Sequence, residues 1–488
     1  MRAMTVADPP HHAVSTNADG GHRLRGDMNT FKLLFTVLAF NGPIIAVVAF
    51  LPVVIGYGNG LGAPVMYLAA GVIVALFAVG FVKMSRHVDN PGGFYSFVTK
   101  GLGREMGLGA ALVAILGYAV LYVGSYPLEG TFFQAFLRDT VGGPDVSWWV
   151  WTLGMFVVVS VLGYFNLEFS ARTLTVCMSL EAVMIVVYNA AVVFRGGASG
   201  LSADSFLPHN VFSGDVGIGL LFAMLCFTGF ESTVIFRDEV KNPDTTIRRA
   251  SFGFIAFIAT GYAFSCWAIV QALGAAHAVA ATSADPSGSV MATVEQFAGK
   301  TARDIVTVLL CTSGFASALA LHNVLSRYLF NLGVDGIISP RLGATHAKHG
   351  SPHRASLALS GVVLVAMMLL IVNHVDPLLV YAPFSGAFGY AFVSLLILTT
   401  LAVIVFMRRD KPHGTTVWHR MVAPVLALLG LGGTLFLATQ HIEMLVTGGP
   451  WAITLMFVSL VGALVLGVCW AVILKRRRPA AYARIGRQ

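Results

Sequence analysis

Twelve apolar runs, most of about twenty residues or longer, restrict this chain to one kind of fold. They cover residues 31–57, 63–84, 106–136, 148–166, 169–194, 215–238, 249–273, 302–331, 355–374, 378–406, 419–440 and 451–474. Apolar runs of that length read as membrane-crossing helices, whose peptide groups bond one another where no water can reach them. The fold class is therefore all-α and integral to a membrane, with twelve transmembrane helices. Only 11% of the residues are charged, against about 25% in a soluble domain. The runs at 106–136 and 302–331 are long and imply strong tilt.

The formal net charge of +8 is a topology signal and does not point to nucleic acid. With the N-terminus inside the cell, only Arg138, Arg195, Lys300 and Arg303 of the 31 Lys and Arg fall on the outer side. Basic residues gather on cytoplasmic loops in this way. Trp148, Trp149, Trp151 and Trp451 then sit at outer ends, as interfacial aromatic residues do. Both termini are expected in the cytoplasm and the protein in the cell (plasma or inner) membrane. Residues 1–30 lack a long apolar core and read as a disordered tail, where His11 and His12 are more simply solvated than metal-bound. Residues 475–488 form a basic tail, expected to be flexible. The outer segment 274–300 is long enough for a short helix over the mouth. Cys177, Cys226, Cys266, Cys311 and Cys469 lie in apolar runs without metal-ligand spacing, so no disulfide, metal site or cofactor is expected.

Two of the runs carry backbone breaks. Span 6 is interrupted at Thr228-Gly229, bears an acid at Glu231, and ends in the charged stretch Arg237-Asp-Glu-Val-Lys-Asn-Pro243. Span 1 contains Asn41-Gly42-Pro43 and then Pro52, and proline removes a backbone donor. Non-helical backbone is tolerated at membrane depth only where it is buried in protein or lines a cavity. Breaks in the first helix of spans 1–5 and of spans 6–10 point to an inverted-repeat transporter site. Five is odd, so the halves 31–194 and 215–406 have opposite orientation. Residues 419–474 add two further helices.

Four blocks resemble the amino acid–polyamine–organocation permease superfamily. They are Lys83-Met-Ser85 with Asn90-Pro-Gly-Gly-Phe-Tyr-Ser96 and Gly101-Leu-Gly103; Phe169-Ser-Ala-Arg172; Phe227-Thr-Gly-Phe-Glu231 with Glu239-Val-Lys-Asn-Pro243; and Arg327-Tyr-Leu-Phe330 with Gly333-Val-Asp-Gly336, Pro340 and Ser351-Pro352. The resemblance implies a five-plus-five inverted-repeat (LeuT-like) core plus two C-terminal helices, with substrate held between helices 1, 3, 6, 8 and 10. Typical relatives break helix 1 at a Gly-x-Gly a few residues before a proline. Counting back from Pro52 places Ile45-Ala46-Val47 there, without those glycines. Either the break has moved to Asn41–Pro43, or the substrate lacks a standard α-carboxylate.

The candidate substrate-binding residues are Asn41, Gly42, Ile45, Ala46, Tyr118, Tyr122, Phe227, Thr228, Gly229 and Phe230. Glu231 looks, by family match, like a gating or proton-responsive acid; the rival reading is a hydrogen bond that clamps the broken helix. Glu181 stands in span 5 where several proton-coupled relatives carry Lys. It could exchange protons, bind a cation or form a structural pair. Tyr118, Tyr122, Ser125 and Glu129 form a polar stripe on span 3. It either lines substrate or bonds neighbouring helices, with Glu129 near the outer end and open to solvation. Ser313 and Ser317 on span 8 could coordinate sodium, or simply let helices approach. His322 and Asn323 read as packing, and Tyr381, Ser385 and Tyr390 as closing the outer mouth. Arg237, Asp238, Glu239 and Lys241, with Arg86, His87 and Arg104, are either an inner salt-bridge gate or solvated charges.

These readings describe a secondary active transporter for amino acids, working by alternating access and coupled to protons rather than sodium. The alternatives are a polyamine or other organic amine importer, or an amino acid exchanger. The expected partners are a small-molecule substrate, a coupling ion and the lipid bilayer. No convergent nucleophile or metal set supports an enzyme, and a channel or nutrient sensor fits less well.

Overall fold

The computed structural model describes residues 28–88, 93–165, 171–346, 349–444, 446 and 449–486. The first 27 residues, with His11 and His12, lie outside this range, as do the loop positions Asn90 to Gly92 and the Phe169-Ser170 start of span 5. Among the described residues nine helices are long and apolar enough to cross a membrane. The longest are Lys300–Val334 with 35 residues, Pro377–Asp410 with 34 and Arg104–Ala135 with 32. Three predicted spans fall short of that standard as single rods. Residues Thr30–Leu38 and Pro43–Tyr57 form a pair bent by 50°, Trp148–Tyr164 is shorter, and the sixth run is split into Val216–Leu225 and the single turn Ser232–Ile235.

Small residues let the helices close on one another, as membrane packing favours. Gly467 of the last long helix rides directly on the backbone of Gly109, and Gly71 faces Ala259. Phe77, Phe81, Phe97 and Phe230 form a buried aromatic cluster, with Phe81 and Phe97 stacked at 4.3 Å. The segment expected to cover the mouth is two helices, Ala278–Ala284 and Pro286–Ala298. Asp285 starts the second by accepting from Gly288 N–H at 2.9 Å. Ion pairs among Asp139, Glu295 and Arg303, and the Arg195 bond to Gln296, bring these elements together at the tryptophan-bearing end.

The basic tail is not free, contrary to expectation. After Arg477 the chain turns into a short helix, Pro479–Arg484, that docks back on the bundle. Tyr482 donates to Glu105 at 2.7 Å and Lys475 to the same carboxylate at 3.0 Å, while Arg104 lies 5.3 Å over the Tyr482 ring. Ile485 is buried against Tyr95, Leu108 and Leu332. One isoleucine and one tyrosine within a cationic stretch help to dock it, and composition alone hid them.

Candidate functional site

Each break follows from its local residues. Asn29 caps Thr30–Asn41 by accepting from Lys32 N–H at 2.9 Å. The helix ends at Gly42, whose φ of 57° and ψ of 69° lie in the left-handed region that glycine occupies without strain. Pro43 restarts it, having no N–H to lose at a first-turn position. The break therefore lies at Asn41–Pro43, and Ile45 and Ala46 follow it as wound helix. The next turn, Ala46–Phe50, is a π-turn just ahead of Pro52. In the sixth run, Asp215 caps Val216–Leu225. The chain then leaves the helix from Cys226 to Glu231, with Gly229 at φ 99°. A single turn, Ser232–Ile235, follows.

A buried carboxylate holds each break. Glu181 is fully buried, and its Oε2 accepts from Ile44 N–H at 3.1 Å, a donor that a helix start leaves without an internal partner. Glu231 is 6% exposed, and its Oε2 accepts from Gly229 N–H at 2.9 Å while Oε1 accepts from Tyr118 at 2.8 Å. An acid at the centre of a spanning helix costs about 2.5–3.5 kcal/mol on insertion scales, so these donors offset a real penalty.

Asn41 joins the two breaks. Its Nδ2 donates to Cys226 O at 2.6 Å and to Thr228 O at 3.3 Å, and its Oδ1 accepts from Tyr262 at 2.7 Å. The carbonyls freed in the second break are thus those of Cys226 and Thr228. The Phe227 and Gly229 carbonyls bond within the turn, to Phe230 N–H and Ser232 N–H.

A cavity of about 90 Å³ sits at this junction. The first break contributes Asn41, Ile45, Ala46 and Phe50, and the second Cys226 and Thr228. The Arg104–Ala135 helix adds Leu121, Ser125, Leu128, Glu129 and Phe132; Ser317 and Leu321 come from Lys300–Val334, and Tyr381 and Phe388 from Pro377–Asp410. Among the described residues no Lys or Arg lines it. Phe132 also lines an adjoining cleft of about 500 Å³ at the tryptophan end, with Arg138, Asp139, Glu295 and Arg303. Toward the basic end Asp244 takes Arg86 at 3.1 Å and Arg237 at 3.3 Å, and Lys241 N–H donates to Met28 O.

Four of the ten predicted binding residues, Asn41, Ile45, Ala46 and Thr228, line the cavity. Gly42 and Gly229 serve as the turns themselves. Tyr118 is taken by Glu231, and Tyr122 bonds Tyr126 at 2.8 Å and His322 at 3.0 Å, so neither ring lines it. Phe227 and Phe230 point to the other side of the broken helix; Phe230 packs on Phe77 and Phe81. Ser313 and Ser317 both face Gly42, and Ser313 lies beside Glu181. Glu129 is not at a solvated end: it is 5% exposed and borders the cavity. In the charged group, Arg86 and Arg237 meet on Asp244, Arg104 lies over Tyr482, and the Asp238 and Glu239 side chains are outside the described residues. The sequence reading missed Asp244 and Tyr262. Phe50, Leu321 and Phe388 were missed too, and no signal separates them from other apolar residues.

A chamber walled by two fractured helices within an all-helical membrane bundle defines a solute permease. Residues 36–481 match the family described as amino acid permease, and the protein belongs to that family of transporters, which are not enzymes. It is 22% identical over 448 residues to the "Low-affinity putrescine importer PlaP" of Escherichia coli (strain K12), covering 88% of this chain and 92% of that protein. It is 23% identical over 416 residues to the "Branched-chain amino acid permease BcaP" of Lactococcus lactis subsp. cremoris (strain MG1363), covering 77% and 81%.

Proposed function

We propose that this permease carries a small amine-bearing solute, an amino acid or an organic amine, across the cell membrane by alternating access and with protons as the driving ion. The observation that carries this reading is the cavity where the two breaks meet, bordered by Asn41 and Thr228. The named relatives, a putrescine importer and a branched-chain amino acid permease, support the solute class. Counting the bent pair, Trp148–Tyr164 and the interrupted sixth run with the nine longer helices gives twelve spans. The repeats are then 31–194 and 215–406, followed by 419–474, with the basic end and both termini in the cytoplasm.

In this arrangement the inner side is closed by Asp244 with its two arginines and by the Tyr118–Glu231 bond. The outer cleft is separated from the cavity by Phe132. Glu181 and Glu231 are the proton-responsive groups. A proton on either weakens the bond that holds its break, which couples charge to helix movement. Ser313 and Ser317, beside Gly42, are the alternative sodium ligands. One charge crossing 100 mV supplies about 2.3 kcal/mol, roughly a fiftyfold accumulation.

Purified protein in liposomes, given a panel of labelled amino acids and amines that includes leucine, putrescine and 3-methylbutylamine, tests this. An imposed inward proton gradient is expected to drive accumulation that a protonophore abolishes, and a sodium gradient alone is not. Solute that merely equilibrates under every gradient overturns the reading.

A further inference from the structure

We infer that the cavity selects a small monocationic amine without a carboxylate, and that Glu129 is the residue that selects it. The inference rests on the transport reading and narrows its solute.

Among the described residues Glu129 is the one acid bordering the cavity. It is 5% exposed, Ser125 lies against it, and its Oε2 has no hydrogen-bond partner. A buried carboxylate is disfavoured until a cation or enough donors reach it. With no Lys or Arg among the described lining residues, Glu129 either holds a proton in the empty cavity or takes its cation from the solute. An ammonium donates up to three hydrogen bonds, and charge-assisted bonds of this kind are the short, strong ones. The rest of the wall suits the solute's other end. Leu121, Leu321 and Phe388 are apolar, so a hydrocarbon body fits beside them.

The same site gives a carboxylate little to hold. A fractured helix offers an anion the free N–H groups at its restart. Here Ile44 N–H already serves Glu181, and Gly229 N–H already serves Glu231. A solute carboxylate would meet no free cation on the lining and would face Glu129. The count of ammonium groups follows from the same accounting. Glu181 and Glu231 hold the two breaks and are not among the described residues that border the cavity, so on its wall one carboxylate awaits one cation.

Leucine and 3-methylbutylamine differ by the carboxylate alone and make the test. Binding of each, and of 1,4-diaminobutane, is measured by calorimetry on the full-length protein in nanodiscs. The expected result is 3-methylbutylamine bound at least tenfold more tightly than either competitor. Glu129→Gln, shown monodisperse with an unchanged thermal midpoint, is expected to lose at least tenfold of that affinity. Glu129→Asp, should the Gln variant not fold, is expected to keep the preference for the amine over leucine while weakening it. Leucine binding as tightly as the amine, diaminobutane binding more tightly, no binding by any of the three, or amine affinity unchanged in Glu129→Gln each overturns the inference. Gradient-driven uptake in liposomes separates the two readings. Leucine accumulated and the amine ignored defeats the amine inference and leaves transport standing; the amine bound but never accumulated does the reverse.

Discussion

The two fractured helices use one chemical device in two different ways. At the first break the carboxylate comes from a distant helix: Glu181 stands 137 residues from Ile44. At the second it is local, since Glu231 reaches back two residues to Gly229 and then holds Tyr118 of a third helix. The first is a tertiary clasp, and its release frees one helix from another. The second is part of the turn itself, and its loss unmakes the turn. The first break is therefore held from outside its own helix, and the second largely from within its own turn.

Stability is where the difference should be largest. Glu231→Leu leaves Gly229 N–H and the Tyr118 hydroxyl without their acceptor, and each orphaned group costs about 1–3 kcal/mol. Glu181→Leu orphans Ile44 N–H alone and should cost about half as much. Thermal unfolding in detergent gives the order, and a larger loss at Glu181 would break the comparison. Transport sharpens it. Glu181→Gln keeps an acceptor for Ile44 but removes the titrating charge, so proton-driven uptake should fall at least tenfold, about 1.4 kcal/mol or more, with little change in thermal midpoint. If Glu181→Gln and Glu231→Gln both leave gradient-driven uptake intact, the coupling roles assigned here are wrong.

Asn41→Ala removes the link between the breaks. Solute or water can reach the freed Cys226 and Thr228 carbonyls, so the cost should be near 1 kcal/mol, read as weaker apparent affinity for solute. Asp244→Asn should have the smallest effect. Asp244 is half exposed and pairs with Arg86 and Arg237. Exposed pairs contribute about 0–1 kcal/mol, so uptake should change less than fivefold and the change should shrink at high ionic strength.

The breaks were legible because they are backbone chemistry. Gly42 with Pro43, and Thr228 with Gly229, interrupt helices through their own torsions and missing donors, whatever surrounds them. The acids were legible as exceptions in apolar runs. Their partners were not, because a partner depends on how a helix is rotated about its axis. That rotation placed Phe230 against Phe77 and Phe81, turned Tyr118 to Glu231, and brought Glu129 to the cavity wall. The docked tail was hidden for a related reason: Tyr482 and Ile485 are two residues whose pocket is built from Tyr95, Leu108 and Leu332, far away in sequence.

Cys226 borders the cavity and reports on its access directly. With Cys177, Cys266, Cys311 and Cys469 replaced by alanine, a small charged methanethiosulfonate can be added to either face of the reconstituted protein. The account predicts that Cys226 reacts from one face at a time, that an imposed gradient changes which face, and that transported solute protects it. Reaction from both faces at once, or from neither, would contradict a closed chamber shared by the two broken helices.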